Sequence, residues 1–256
     1  MSGSLHSMIR DLARRRGRER RGLALAEGIR LVEEALAAGI VIRGAAVSPA
    51  LEGTTRGSAL KAQLAGRNVP LEEVAVEELD HLADTEHPQG IVAVIEPKRW
   101  SLAEIAADAG VVLALDAVQD PGNVGTMLRT AHALGAAGVI ALKGTADLTN
   151  SKVLRGSMGA AFRLPAVAAA EDEFLAWAAE RGVAIWAAAA DGEPLRRGTL
   201  PRSAIALVVG NEGAGVSTGI AAGARRCVAI PLRAGAESLN VGVAAGILLY
   251  EALRDD

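Results

Sequence analysis

The residues best suited to do chemistry lie in three short stretches of the chain. The last stretch brings Glu237, Ser238 and Asn240 together between an apolar run that ends at Ile230 and an apolar helix predicted from 238 to about 253. Side chains of these types hydrogen-bond polar ligands at the end of a strand. Ser and Asn at the start of a helix also cap free backbone N–H groups, so a cap is the structural alternative for Ser238.

A second stretch, LVVGNEGAGVS at 207–217, places a carboxylate among three glycines. Gly210, Gly213 and Gly215 permit a positive φ and let a ligand approach the backbone closely. This glycine spacing is a weak signal by itself. Glu212 is more specific, because a carboxylate among glycines has few structural uses.

The third stretch is DAVQDPGNVGTMLR at 116–129. Its DPGN turn predicts the end of a strand and the start of a helix, where Asn123 is able to act as a cap. Arg129 falls outside the apolar stripe of that helix. It is therefore either a solvated surface arginine or a group that binds an anion.

Several common types of active site are not favoured by the sequence. The turn D-P-G-N-V-G is not the G-x-G-x-x-G of dinucleotide-binding folds, and the sequence has no P-loop. A serine hydrolase is disfavoured because Ser157 follows a segment with helical spacing rather than a strand. Cys227 is the only cysteine and the four histidines are scattered, so we expect no disulfide and no metal site.

The 256-residue chain is 50% hydrophobic and has a net charge of −3, values typical of a folded protein with a substantial core. Positive charge is concentrated in residues 1–22, which contain seven arginines. An arginine side chain binds two phosphate oxygens at once, so the cluster favours contacts with an RNA backbone. A solvated basic helix or tail is an equal alternative. The candidate RNA contacts are Arg14, Arg15, Arg16, Arg18, Arg20 and Arg21.

No apolar stretch approaches the length of a membrane span, and no signal peptide is evident. We therefore expect a cytoplasmic protein without membrane contact.

Two blocks of predicted elements position the polar residues. Within 1–98, helices are predicted at 23–39, 56–67 and 76–83, and strands at 42–49, 68–74 and 87–97. From 99 to 256, buried strands are predicted at 111–115, 138–142, 164–168, 183–187, 204–209 and 227–230. Helices predicted at 124–135, 151–160 and 171–181 lie between them. This alternation predicts a parallel sheet covered on both faces, with ligands at the carboxyl ends of its strands.

Segments over about residues 110–254 resemble, in order and spacing, the signature motifs of the SpoU/TrmH-type RNA ribose 2′-O-methyltransferases of the SPOUT class. They are NVGTMLRTAHALGA, RGSMGA, LVVGNEGAGVS and IPLRAGAESLNVGVAAGILLYEALR. Gly242 departs from the pattern, since the family usually has serine there. The first hundred residues resemble, more loosely, a ribosomal-protein-like α/β substrate-binding domain that many members carry.

The resemblance implies S-adenosylmethionine as methyl donor, a homodimer, and an α/β domain whose C-terminal trefoil knot forms the cofactor pocket. It implies catalytic roles for Asn123, Arg129, Glu212, Ser238 and Asn240. It implies cofactor contacts at Gly210, Ile230, Leu232 and Leu239. Because arginine side chains stay protonated, we expect Arg129 to bind a phosphate and stabilise a developing oxyanion rather than act as a base.

We therefore expect an RNA-binding domain with a basic N-terminal arm over 1–98 and a methyltransferase domain over 99–256. The expected activity is methyl transfer from S-adenosylmethionine to a ribose 2′-hydroxyl of ribosomal RNA, with 23S favoured, because a dedicated N-terminal domain suits a folded RNA element. The alternatives are a tRNA 2′-O-methyltransferase and an inactive RNA-binding protein. The presence of all the polar motif residues weakens the second alternative.

Overall fold

The structure, a computed structural model, describes residues 4–85, 88–107, 110–196, 201, 204–233 and 238–254. The chain divides into two compact units. The first unit consists of Met1–Lys98 and Thr149–Phe162, and the second of Arg99–Leu148 and Arg163–Asp256.

The elements up to residue 98 are α1 (Leu5–Leu12), α2 (Arg15–Arg21), β1 (Ala24–Glu27), α3 (Ile29–Ala37), β2 (Val41–Val47), α4 (Thr55–Gly66), β3 (Leu71–Glu73), α5 (Val76–Leu82) and β4 (Ile91–Glu96). The elements that follow are β5 (Val111–Asp116), α6 (Pro121–Leu134), β6 (Gly138–Ala141), α7 (Ser151–Ser157), β7 (Ala166–Ala168), α8 (Glu171–Glu180), β8 (Ala184–Pro194), β9 (Ile205–Gly210), α9 (Thr218–Gly223), β10 (Arg226–Ala229) and α10 (Val241–Leu253).

The first unit contains a four-stranded sheet in the order β1-β4-β2-β3. Strand β4 pairs antiparallel with β1 and β2, and β2 pairs parallel with β3. The single helix predicted over 23–39 is wrong in its first part, because residues 24–27 form β1 and every one of them is buried. Gly28, with φ 87°, turns the chain from β1 into α3.

The arginine-rich N-terminus is a folded part of the first unit rather than an arm. Ile9 and Leu12 on α1 are fully buried in a cluster with residues of β1, β2, β4 and α5. Gly17 lets α2 pack closely on the end of α1, since a Cβ at this position would lie 2.0 Å from the carbonyl oxygen of Asp11. The sequence did not predict these two helices, because arginines mask their short apolar pattern.

For Arg18 the expectation of a phosphate contact does not fit the structure. Arg18 is 6% exposed, and its Nη1 donates to the carbonyl oxygens of Leu12 and Ala13 at 3.0 and 3.1 Å. It therefore caps the C-terminal carbonyls of α1. The guanidiniums of Arg21 and Arg20 both donate to Asp11 and hold the pKa of that carboxyl below its ordinary value.

Residues 149–162 lie in the first unit, although the predicted methyltransferase range 99–256 includes them. The reason is apolar packing, because Leu154 and Phe162 are buried in the core of the first unit. Helix α7 is shorter than the predicted 151–160, since Met158 adopts a left-handed φ of 51° after it. Ser157 is fully buried and its hydroxyl donates to the carbonyl oxygen of Leu154, so its role is structural.

The second unit contains a six-stranded sheet in the order β10-β8-β9-β5-β6-β7, and every neighbouring pair is parallel. The parallel sheet predicted from the buried apolar runs is confirmed. Because the strands are parallel, the loops after β5, β9 and β10 emerge at one edge. These loops carry the three polar stretches found in the sequence.

Strand β8 is longer than the predicted 183–187 and contains a large irregularity. Trp186 and Ala187 pair with Arg226 and Cys227 of β10, but the next two residues of β10 pair with Glu193 and Pro194. Residues 188–192 are therefore left out of the ladder and bulge away from β10. The apolar spacing along the chain gives no sign of such a bulge.

Helix α10 packs along α6 through its small residues. A Cβ at Gly242 would lie 3.8 Å from Cγ2 of Thr126, and one at Gly246 would lie 3.7 Å from Cγ2 of Thr130. Two glycines one turn apart therefore lie against two threonines one turn apart. The two helices therefore pack side by side through small side chains.

Within the described ranges, no helix is both long enough and apolar enough to cross a membrane. Within those ranges there is also no group of three or more His, Cys, Asp and Glu side chains placed to hold a metal ion.

A buried carboxylate joins α7 to β1 inside the first unit. The side chain of Glu27 is 1% exposed, and its Oε2 accepts from Nη1 of Arg155 at 3.1 Å and from the backbone N–H of Asp84 at 3.2 Å. Burial raises the pKa of Glu27, while the Asp84 N–H and the Arg155 charge partly offset that effect.

The raised pKa of Glu27 predicts a specific pH dependence of stability. The folded state binds the Glu27 proton more tightly than the unfolded chain, so the resulting stabilisation is full below the ordinary glutamate pKa of about 4.3 and is lost as pH rises through the folded value. We expect the free energy of urea unfolding of wild type, relative to Glu27→Gln, to fall with rising pH by at most about 1.4 kcal/mol per unit. Glu19→Gln, at an exposed position, is the control. The same pH profile for both variants would contradict the role of burial.

Candidate active site

A cleft of about 720 Å³ opens in the second unit, beside the ends of β9 and β10. It is lined by the β8 bulge, the turn after β9, the segment after β10 and the start of α10. The lining is mostly Gly, Ala and branched apolar side chains, with Asn211, Glu212 and Ser238 as its polar side chains among the described residues.

The four residues expected to contact a cofactor all line this cleft: Gly210, Ile230, Leu232 and Leu239. Their contact with a cofactor stays a prediction. The sequence analysis missed one wall, formed by Ala188, Ala189 and Ala190. A run of alanines directly after a strand was the available signal, because small side chains leave room for a ligand.

The turn after β9 is built so that residue 210 has to be glycine. A Cβ at Gly210 would lie 2.2 Å from the carbonyl carbon and oxygen of Gly215. Asn211 closes the turn, since its Oδ1 accepts from the backbone N–H groups of Gly213 and Ala214 at 2.9 and 3.1 Å. Its Nδ2 donates to the carbonyl oxygen of Ala117 at 3.1 Å, which ties the turn to the end of β5. Glu212 is exposed at the tip of this turn.

Three of the predicted catalytic side chains form a continuous hydrogen-bonded chain. Asn240 Nδ2 donates to Asn123 Oδ1 at 3.1 Å, and Asn123 Nδ2 donates to Glu212 Oε1 at 2.5 Å. These residues are up to 117 positions apart in the sequence. The structure therefore brings together one residue from each of the three polar stretches.

The start of α10 fixes the direction of this chain. Asn240 is the N-cap of α10, and its Oδ1 accepts from the backbone N–H groups of Gly242 and Val243 at 2.9 and 3.3 Å. Its amide nitrogen must then face Asn123, whose own nitrogen in turn faces Glu212. Each amide donates towards the carboxylate, and aligned hydrogen bonds of this kind strengthen one another.

Asn123 is held in place by the start of α6. Asp120 is the N-cap of that helix, and its Oδ1 accepts from the backbone N–H of Asn123 at 2.7 Å. Pro121 at the first helical position fixes φ at a helical value and has no N–H to satisfy. The DPGN turn thus sets the position from which Asn123 reaches Glu212.

Ser238 lines the cleft but does not cap the last helix. The helix predicted from 238 begins instead at Val241, because Asn240 supplies the capping oxygen. Glu237, the third polar residue of this junction, lies in 234–237, outside the described residues.

Arg129 is not part of the hydrogen-bonded chain. It lies on α6, six residues after Asn123 and therefore about 9 Å further along the helix axis, and its side chain is exposed. The structure gives Arg129 no hydrogen bond or ion pair to another described residue. It is thus accessible to an external anion.

The comparisons with known proteins match both parts of the chain. The model of the SpoU rRNA Methylase family matches residues 110–250, which is more than half of the chain and contains the cleft and the polar chain. The chain belongs to the SpoU rRNA methylase family. The MRM3-like substrate binding domain matches residues 7–93 of this family member. The family recognised from the sequence is therefore confirmed.

Relatives of this SpoU family member are bacterial RNA methyltransferases. The 23S rRNA (guanosine(2553)-2′-O)-methyltransferase RlmP of Bacillus subtilis is 42% identical over 66% of this chain and 66% of its own length. The uncharacterized tRNA/rRNA methyltransferase slr1673 of Synechocystis is 33% identical over 98% of this chain and 90% of its own length. The crystal structure of an AdoMet-bound rRNA methyltransferase from Sinorhizobium meliloti superposes with a TM-score of 0.83 at 31% identity. It covers 98% of this chain and 94% of that one. The predicted fold class, a SPOUT α/β domain with a smaller N-terminal α/β domain, is confirmed.

The turn after β9 gives a prediction with a control in the same loop. Gly210→Ala should weaken S-adenosylmethionine binding by at least 10-fold, because its Cβ would push Gly215 and the turn away from the cleft. Gly213→Ala should bind nearly as wild type, since its Cβ would meet only Asn211 Oδ1, at 3.5 Å. Isothermal titration calorimetry on both full-length variants measures the difference. Equal affinities would contradict a role for this turn in the cofactor site.

Proposed function

We propose that this chain transfers a methyl group from S-adenosylmethionine to a ribose 2′-hydroxyl of ribosomal RNA, with 23S rRNA favoured. The observation that carries the proposal is the chain Asn240–Asn123–Glu212, which ends beside a mostly apolar cleft within a SpoU-family domain. The enzyme class and the cofactor expected from the sequence agree with the relatives, which include 23S rRNA 2′-O-methyltransferases and an AdoMet-bound structure.

The lining of the cleft suits S-adenosylmethionine. Gly210 and Ala188–Ala190 leave the backbone accessible, as hydrogen bonding to an adenine and an amino acid group requires. Val209, Val228, Ile230 and Leu239 supply apolar walls for the flat faces of the adenosine. When bound, the cofactor supplies a methyl group on a positively charged sulfur. Glu212 places a carboxylate at the rim of this cleft, where its charge complements that of the sulfur.

The residues of the polar chain have to orient the ribose hydroxyl and remove its proton. Asn123 occupies Oε1 of Glu212, so Oε2 is the oxygen that accepts the hydroxyl proton of the ribose. Asn240 keeps the amide of Asn123 turned towards Glu212 and thereby acts as a positioning residue. Fixing these groups before the substrate binds contributes to catalysis by lowering the entropy cost of alignment.

Arg129 binds the phosphate next to the acceptor ribose in this proposal. Its exposure and its lack of an ion pair to any described residue support that role. A guanidinium binds two phosphate oxygens at once, which fixes the orientation as well as the position of the nucleotide. Ser238, at the rim of the cleft, is able to donate a hydrogen bond from its hydroxyl to the same phosphate.

The first unit binds the RNA mainly through phosphates. Of the predicted arginines, Arg15 pairs with Glu19 at 2.7 Å, and Arg20 and Arg21 pair with Asp11. These exposed pairs are weak and exchange readily for phosphate. Arg14 and Arg16 are exposed on α2 and its start, so they are the leading candidates for direct phosphate contacts.

A homodimer is part of the proposal. Helix α10 exposes Val243 and Tyr250 by 52% and 53%, and both lie on the face that also carries Ile247. Large apolar side chains on one exposed face are typical of a surface that another chain covers. We propose that this chain is a second copy of the same protein, as the family resemblance implies.

The proposal also includes the C-terminal knot and a cytoplasmic location. Strand β10 is the outermost strand on one side of the sheet. After it the chain returns to α10, which packs against the two central strands, β5 and β9. A return of this kind supports the proposed threading, which is rare among folds. A substrate in ribosomal RNA supports the cytoplasm as the place of action.

Methyl transfer is tested with labelled S-adenosylmethionine and separate 23S, 16S and tRNA transcripts. We expect label in 23S rRNA, and mass spectrometry should identify a 2′-O-methylated nucleoside. Label in tRNA alone would favour the alternative substrate. Calorimetric binding of the cofactor without transfer to any of the three RNAs would contradict the enzyme and favour an RNA-binding protein.

Arg129→Ala should lower the single-turnover rate by roughly 100-fold, as expected for loss of a preorganised charged donor. Cofactor affinity and melting temperature should be unchanged, since the side chain is exposed. Arg129→Lys should recover little, because an ammonium lacks the planar fork. His132→Ala, exposed on the same helix, is the control. A rate for Arg129→Ala within a few-fold of wild type would show that Arg129 is an ordinary surface arginine without a role in methyl transfer.

The arginines of the first unit should separate into two classes. Arg14→Ala and Arg16→Ala should each lower the salt slope of log K for RNA by about 0.9 on duplex or about 0.7 on single strands, without changing the melting temperature. Arg18→Ala should instead lower the melting temperature, because the carbonyls of Leu12 and Ala13 lose their donor. Salt-dependent binding and thermal melts measure both effects. An unchanged salt slope for Arg14→Ala and Arg16→Ala would exclude them from the phosphate contacts.

A further inference from the structure

The turn after β6 presents an exposed lysine at the same sheet edge as Glu212. Lys143 and Gly144 form the corner of a β-turn, in which the backbone N–H of Thr145 donates to the carbonyl oxygen of Leu142 at 3.0 Å. Gly144 has φ 91°, as the third position of a type II turn requires. The side chain of Lys143 is exposed.

This turn is fastened to the end of β5 and the loop after it by three hydrogen bonds. The carbonyl oxygen of Leu115 accepts from the N–H of Leu142 at 2.9 Å and from the hydroxyl of Thr145 at 2.8 Å. The N–H of Ala146 donates to the carbonyl oxygen of Val118 at 2.9 Å. Together with the bond that closes the turn, these contacts hold the backbone of Lys143 in one position.

The β5 loop in turn connects this turn to the one after β9. Ala117, between them, adopts a left-handed φ of 56° although it is not a glycine, and its carbonyl oxygen accepts from Asn211 Nδ2. A left-handed non-glycine residue is held by its surroundings at an energetic cost, and such residues are concentrated at functional sites. The loops after β6, β5 and β9 therefore form one rigid edge.

Lys143 is the single cation in the described stretches 116–120, 142–146 and 211–215 that make up this edge. The carboxylates there have other partners: Asp116 accepts from Ser217 N–H, Asp120 caps α6, and Glu212 accepts from Asn123. Within these three stretches, the β6 turn thus carries the positive charge that attracts a polyanion.

The spacing of the strands suits an RNA strand laid along the edge. Strands β6 and β9 are separated by β5 alone, so their ends are about 10 Å apart at a spacing of about 4.8 Å per strand. With the acceptor ribose at Glu212, a flanking phosphate falls within reach of the four-carbon side chain of Lys143.

We propose that Lys143 binds a backbone phosphate that flanks the acceptor nucleotide and thereby positions the RNA strand across the ends of β9, β5 and β6. This inference rests on the proposed function and adds a second anchoring point on the methyltransferase domain itself. Lys143 is a positioning residue, because it holds the strand and takes no part in proton removal.

The test compares full-length Lys143→Ala, Lys143→Arg and Lys143→Glu on the transcript that the wild-type enzyme methylates. Arg225→Ala is the matched control, because it removes one exposed cation from the same unit. Arg225 lies just before β10, at the amino ends of the strands and therefore opposite Lys143. Cofactor affinity, melting temperature, kcat/KM and the salt slope of log K for RNA are measured for each variant.

We expect Lys143→Ala to lower kcat/KM roughly 10-fold, mainly through KM, and to lower the salt slope by about 0.7 for a single strand. Lys143→Arg should retain most activity, and Lys143→Glu should lose more than Lys143→Ala. Cofactor affinity and melting temperature should stay at wild-type values. A Lys143→Ala variant equal to Arg225→Ala in kcat/KM and salt slope would overturn the inference, as would an effect explained by reduced cofactor binding or stability. Absence of methyl transfer by the wild type would instead contradict the proposed function.

Discussion

The candidate site depends on one helix cap. The first N–H groups of α10 need an acceptor, and Asn240 supplies it with its side-chain oxygen. That single requirement fixes the orientation of the Asn240 amide. The Asn240 amide in turn fixes the orientation of the Asn123 amide, whose Nδ2 then donates to Glu212. The polar groups of the site are therefore oriented by the same interaction that starts the last helix. A substitution at Asn240 changes the fold of α10 and the chemistry of the site together.

Small residues make the rest of the arrangement possible. Gly210 lets the turn after β9 close on Gly215, the alanines of the β8 bulge leave the cleft open, and Gly242 and Gly246 bring α10 against α6. The last of these contacts places Asn240 within hydrogen-bonding distance of Asn123 on α6. Gly242 stands where the family usually has serine, and a Cβ there would meet Asn240 Oδ1 at 3.2 Å.

Much of the second unit could be predicted because buried parallel strands are short apolar runs, and the order of the strands brings the polar stretches to one edge. The features that could not be predicted depend on contacts distant in sequence. Residues 24–27 have the spacing of a helix, but pairing with β4 makes them a strand. The β8 bulge follows from a register set by β10, some forty residues later. Arg18 looks like its neighbours in sequence, and only the folded end of α1 gives it carbonyls to cap. The hydrogen bonds of Asn123 and Asn240 could likewise not be predicted, because the sequence shows that these residues are asparagines but not which way their amides face.

The discontinuity of the first unit has a consequence for biosynthesis. Its core includes Leu154 and Phe162, yet it is otherwise built from residues before 99. When only the first hundred residues have been translated, the core of the first unit is thus incomplete. Its apolar surface stays exposed until the segment 149–162 has been made. That segment cannot arrive until β5, α6 and β6 have also been made. The first unit therefore cannot complete its core before the first part of the second unit has been made, and a chain truncated between residues 99 and 148 lacks part of that core.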